Sequence, residues 1–205
     1  MDWYFVTNLG DINVMGPIAL LTAAWIGLSH AFKAAAGWIC LCGAAAFAVV
    51  CTKVAYIGWG AGLPAIDFTG ISGHAMISTA TLTVIGYFAG SSLGGIAPTL
   101  AAFLGFGLGV VIGLSRIILG IHSPSEVAAG CGLGAIVALS CALLIEQCSC
   151  GNIKPFGKIK PAIFAVTVAA LIATTHGHKA PSEKLITKVA LYLSGRTAPY
   201  YSRGR

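Results

Sequence analysis

Ser115-Arg116-Ile117-Ile118-Leu119-Gly120-Ile121-His122-Ser123-Pro124-Ser125-Glu126 joins two long apolar runs of this chain. It sets an arginine, a histidine and a carboxylate at an apolar boundary, where charge is costly and usually functional. Ser123-Pro124-Ser125-Glu126 reads as a helix start, with Ser123 as N-cap, Pro124 at the first position and Glu126 at the third. Glu126 also stands four residues after His122. There it can hold one ring nitrogen, fix the tautomer and leave the other nitrogen free to attack. The two roles of Glu126 are compatible. Working outward, a second cluster, Ser72-Gly73-His74, opens an earlier apolar run. The expectation is that both clusters fold onto one site.

The rest of the composition says what surrounds that boundary. Hydrophobic residues make up 57% of the 205 residues and charged residues only 9%. A soluble domain carries about 25% charge, so this chain could not cover a water-facing surface. It reads as an all-α integral membrane protein, a single domain over residues 1–205. The formal net charge is +6. The basic residues sit between and after apolar runs, where they set topology or meet anionic lipid head groups. No basic stripe with interleaved aromatics marks a nucleic-acid partner. Cys40, Cys42, Cys51, Cys131 and Cys141 read as small buried hydrophobes. Cys148 and Cys150 lack further ligands at metal spacing and read as free thiols. Met1-Asp2-Trp3-Tyr4 is acidic and aromatic, unlike a cleaved signal peptide.

Hydropathy predicts a bundle of about six transmembrane helices. Residues 1–15 form an interfacial segment, and the spans run at about 16–32, 35–59, 72–90, 96–119, 124–147 and 159–175. Pro17 falls in the first turn of the first span. The Gly- and Pro-rich loop 60–71 carries Asp67, read as a solvated loop residue. Gly105, Gly109 and Gly113 line one face of the fourth span, and Gly130 and Gly134 one face of the fifth. Such faces let backbones approach closely in lipid, so these two spans are expected to pack on each other. The tail from His176 onward is basic. Within it, residues 182–193 form an amphipathic interfacial helix with Leu185, Ile186, Val189 and Leu193 on one side. With six spans, both active loops share one side. Lys33, Lys154, Lys158 and Lys160 lie on the other, which the positive-inside rule makes cytoplasmic. The basic tail argues the opposite way.

Ser115-Arg116, five residues, His122, three residues and Glu126, preceded by Ile71-Ser72-Gly73-His74, resemble motifs of the type 2 phosphatidic acid phosphatase superfamily. The vanadium haloperoxidases also belong to it. The resemblance covers about residues 50–135. Glu126 stands in place of the family's aspartate and Ile71 in place of a proline. Of the first motif, a lysine followed after six residues by Arg-Pro, Lys53 is present and Gly60-Ala61 stand at the Arg-Pro. The resemblance implies a membrane lipid phosphatase needing no metal or other cofactor; a bacterial inner membrane is the expected location, and the positive-inside reading turns its site toward the periplasm or exterior. The resemblance also implies that His122 attacks phosphorus, Glu126 orients it and His74 protonates the leaving oxygen, then activates water. It further implies that Lys53, Ser72, Gly73 and Arg116 hold the phosphoryl oxygens. A phosphotransferase, and a binding or transport bundle that has lost catalysis, remain the alternatives.

Overall fold

The computed structural model describes residues 2–29, 31–91, 93–149, 159–175 and 182–200. The described chain is helical: α1 Trp3–Leu9, α2 Ile12–Leu28, α3 Phe32–Trp59, α4 Gly73–Gly90, α5 Ala97–Ile118, α6 Pro124–Ser149, α7 Ile159–Thr175 and α8 Ser182–Ser194. The described residues form no strand, only an isolated bridge between Leu63 and Phe68. Lys154, Lys158, Cys150, His176 and the chain beyond Tyr200, on which part of the topology reading rested, lie outside the described residues.

Among the described residues, three helices, α3, α5 and α6, are long and apolar enough to cross a membrane, and the bent pair α1 and α2 counts as a fourth if it makes one span. The structure thus identifies three to four candidate spans where the sequence predicts six. α4 falls short because hydroxyls dilute its apolarity. Ser78, Thr79 and Thr81 are fully buried in it. α4 is packed by α2, α3, α5 and α6, so neighbouring helices and not lipid surround these groups.

This changes the role of the glycines. The fourth and fifth predicted spans do not chiefly pack on each other; α4 lies between them. A Cβ on Gly109 would stand 2.5 Å from the Thr79 Cα, and one on Gly90 2.7 Å from the Ala97 carbonyl. From α6, a Cβ on Gly130 would stand 2.6 Å from the Ser72 carbonyl. Only Gly113 also faces α6, through Val127 and Cys131. The small-residue faces therefore bring α5 and α6 onto the two sides of α4.

The first span also differs from its prediction. α2 starts at Ile12 because Asp11 is its N-cap, its Oδ1 accepting from the Asn13 N–H at 2.9 Å. Pro17 consequently lies inside the helix, and α2 ends at Leu28 instead of running to Phe32. The buried Trp38 indole donates to the Ala19 carbonyl at 2.9 Å and ties α2 to α3. α3 has 28 residues, about 42 Å at the helical rise, which exceeds a hydrocarbon core of about 30 Å. Its C-terminal turns, with Lys53, can stand at the head-group level beside the loop that follows.

Candidate active site

The turn after α5 delivers His122. Gly120 takes φ +66°, a left-handed conformation that suits glycine. The Arg116 carbonyl accepts from both the Ile121 and His122 N–H groups, at 2.9 and 3.2 Å. The chain thereby reverses over the end of α5 and enters α6 at Pro124. The expected capping box is present: the Ser123 N–H donates to Glu126 Oε2 at 3.1 Å and the Glu126 N–H to Ser123 Oγ at 3.4 Å.

Glu126 is also the partner of His122, with Nδ1 and Oε2 2.6 Å apart. Its second oxygen accepts from the Thr69 N–H at 2.8 Å and from the Thr69 hydroxyl. Four donors thus converge on one buried carboxylate. An ionised carboxylate can only accept, so in this pair Nδ1 is the donor and Nε2 is left free of Glu126.

The two sequence clusters meet through the backbone. The Ser72 N–H donates to the Glu126 carbonyl at 3.1 Å. Ser72 is the N-cap residue of α4, yet its hydroxyl makes no capping bond. That hydroxyl is buried without a hydrogen-bond partner among the described residues. Gly73 begins α4, and His74 follows in its first turn. His74 lies within electrostatic reach of Arg116, Lys53 and His122. Arg116 is buried. Its Nη1 donates to Thr7 Oγ1 at 3.0 Å, while its Nε has no partner among the described residues. A buried guanidinium with a spare donor suits an anion.

Loop 60–71 is held against both sides of the site. The Ile71 N–H donates to Thr52 Oγ1 at 3.1 Å, and Ser125 Oγ donates to the Ile66 carbonyl at 2.8 Å. Gly70 lies on the Lys53 side chain, where a Cβ would come within 3.1 Å of Cγ. A cavity of about 390 Å³ opens here, with Lys53, Thr69, His122 and Glu126 on its wall. Ser72, His74 and Arg116 are not on that wall. Ser72 is joined to it through the Glu126 carbonyl, and the Arg116 guanidinium acts there through its charge.

The sequence signals did not reveal three contributions. Asp11 approaches His74, with Oδ2 4.0 Å from Nε2, too long for a hydrogen bond. Thr7 and Thr69 were passed over because a lone threonine carries no pattern. The other wall of the cavity comes from α8 and the segment after it, through Glu183, Ile186, Thr187 and Pro199. Position 60, the place of the first motif's arginine, has no room for a side chain. Gly60 caps α3 at φ +71°, and the Tyr200 ring lies against it, with the Tyr200 N–H donating to the Ile57 carbonyl at 2.8 Å.

Comparison with known proteins agrees with the motif reading. The sequence model of the PAP2 superfamily matches residues 55–150. The chain is 28% identical over 201 residues to a Klebsiella pneumoniae protein described as an uncharacterized 22.5 kDa protein in the cps region. That alignment covers 98% of this chain and 95% of the relative. No solved structure matches.

Proposed function

We propose that this chain, which belongs to the PAP2 superfamily through residues 55–150, is a membrane phosphatase. Its substrate would be a phosphomonoester or diphosphate of a lipid. The observation that carries this reading is the His122–Glu126 pair, 2.6 Å apart on the wall of a cavity shared with Lys53.

In the proposed reaction His122 Nε2 attacks phosphorus. The P–N bond forms as the P–O bond to the alcohol breaks, and His74 gives its proton to the departing oxygen. Glu126 holds Nδ1–H and stabilises the positive imidazole of the phosphohistidine. His74, now neutral, takes a proton from water; the hydroxide attacks phosphorus and the P–N bond breaks. Lys53, Arg116, the Ser72 hydroxyl and the Gly73 N–H hold the phosphoryl oxygens. Phosphoryl transfer depends chiefly on such positioning and charge stabilisation. General acid catalysis by His74 would contribute about 100- to 10,000-fold. The first turn of α4 would receive the anion at a helix N-terminus. A lipid substrate follows from a site at the ends of apolar helices.

The test is phosphate release from a panel of lipid phosphates in detergent, without added divalent metal. The wild type should turn over at least one substrate. His122→Ala should lower that rate by about 1,000-fold or more while the protein still folds. Retained turnover in His122→Ala would remove the nucleophile and the reading with it. Labelled phosphate appearing on a lipid acceptor, instead of as free phosphate, would identify a phosphotransferase.

A further inference from the structure

α8 lies outside the segment that matches the superfamily, yet it walls the cavity. Glu183, Ile186, Thr187, Ala190 and Ser194 recur at helical spacing and share one face. That face is seated on the end of α3: Ala190 is fully buried, and a Cβ on Gly58 would stand 3.3 Å from the Ala190 carbonyl and 3.2 Å from the Ser194 Cβ. Its N-terminal part, with Glu183, Ile186 and Thr187, lines the same cavity as His122. Leu185, Val189 and Leu193 point elsewhere and are exposed. The amphipathic reading of this helix is thus corrected at one position: Ile186 belongs to the cavity face and not with Leu185, Val189 and Leu193.

A carboxylate in such a place calls for a reason. Glu183 acts electrostatically on both Lys53 and Arg116, yet no ion pair or side-chain hydrogen bond joins it to another described residue. Beside a phosphate dianion it would repel. It becomes favourable when the bound molecule brings a donor to it. Thr187, one turn on, donates its hydroxyl hydrogen to the Glu183 carbonyl at 2.9 Å, which leaves its oxygen free to accept. Two acceptors therefore face the cavity from one helical turn.

We infer that α8 selects the substrate: Glu183 and Thr187 receive hydroxyl or ammonium donors carried by the alcohol part of the phosphoester. The inference rests on the phosphatase reading above and adds to it the class of molecule preferred. A simple alkyl phosphate offers no such donor, whereas a polyol or amino-alcohol phosphate does.

The experiment compares kcat/KM for three probes: dodecyl phosphate without a donor, lysophosphatidic acid with a hydroxyl, and sphingosine 1-phosphate with an ammonium and a hydroxyl. The wild type should favour the two donor-bearing probes by about 10- to 100-fold, the worth of a charge-assisted hydrogen bond. Glu183→Ala should erase most of that preference through KM, with kcat nearly unchanged. It should leave dodecyl phosphate unaffected or better used. Glu183→Gln keeps one acceptor and should retain part of the hydroxyl preference while losing the ammonium one. Thr187→Val should lower the preference independently. Glu183 is exposed on α8, so its variants should fold. Equal gains on all three probes in Glu183→Ala would show mere repulsion and overturn the inference. So would an unchanged ratio, the result expected if Glu183 only offsets the helix dipole. Absence of wild-type turnover on every probe would remove the phosphatase reading, and the inference falls with it.

Discussion

At the scale of single residues, Glu126 does most to make the site. It closes the capping box of α6, orients His122 and pins the loop through Thr69. Each bond is made to an acceptor. Glutamine at this position would keep one acceptor oxygen and turn an N–H₂ donor toward two other donors. Glu126→Gln should therefore cut turnover on the order of 100- to 10,000-fold, as loss of the correct tautomer does in comparable carboxylate–imidazole pairs. It should also lower stability by about 1–3 kcal/mol, the cost of buried donors left unpaired. Phosphate release and thermal unfolding in detergent measure the two. Full turnover in a destabilised variant would leave Glu126 a cap and nothing more. The 126 carboxylate and the 122 imidazole were legible as a pair because four residues separate them. The threonines were not, since Thr69 reaches Glu126 across 57 positions of chain.

At the scale of elements, the bundle is organised by glycines that touch backbone, and others in the same helices touch nothing. Gly109 meets the Thr79 main chain, whereas Gly107, two residues earlier, has no neighbour within 4 Å of a built Cβ. Gly109→Ala should force α5 away from α4 and cost about 1–3 kcal/mol, as overpacking does. Gly107→Ala should change stability by no more than about 1 kcal/mol, in the direction of stabilisation. Unfolding midpoints of the two variants in one detergent make the comparison, and equal effects would refute backbone contact as the cause. The sequence marked the right faces by their four-residue spacing. It could not say which helix they meet, because a small-residue stripe declares close approach and not the identity of the partner.

At the scale of the whole molecule, three distant parts of the chain converge on one end of the bundle. The turn after α1 brings Asp11 to His74, and α1 itself brings Thr7 to Arg116. α4 and α6 begin there, and α8 returns to cover the cavity. Asp11→Asn tests the first of these links cleanly. Asparagine caps a helix about as well as aspartate, so the melting temperature should hold. The carboxylate 4.0 Å from His74 is lost; if it helps His74 hold the proton it gives up, turnover should fall about tenfold for each ~1.4 kcal/mol of that interaction. A lowered melting temperature with normal turnover would make Asp11 a cap alone. Trp25 plays a corresponding structural part, stacking on Phe164 of α7 at 4.4 Å between ring centroids and edge-on to Phe88 of α4 at 4.8 Å.

By itself the sequence determined that the chain is helical and built for a membrane, because 9% charged residues cannot cover a soluble surface. It also determined which imidazole is held by which carboxylate, because that pairing is local and set by helical geometry. Tertiary structure alone decided that α4 lies between α5 and α6, that Asp11, Thr7 and Thr69 attend the site, and that α8 forms its far wall. Those contacts join residues far apart in the chain, and packing in three dimensions brings them together without leaving a spacing to read.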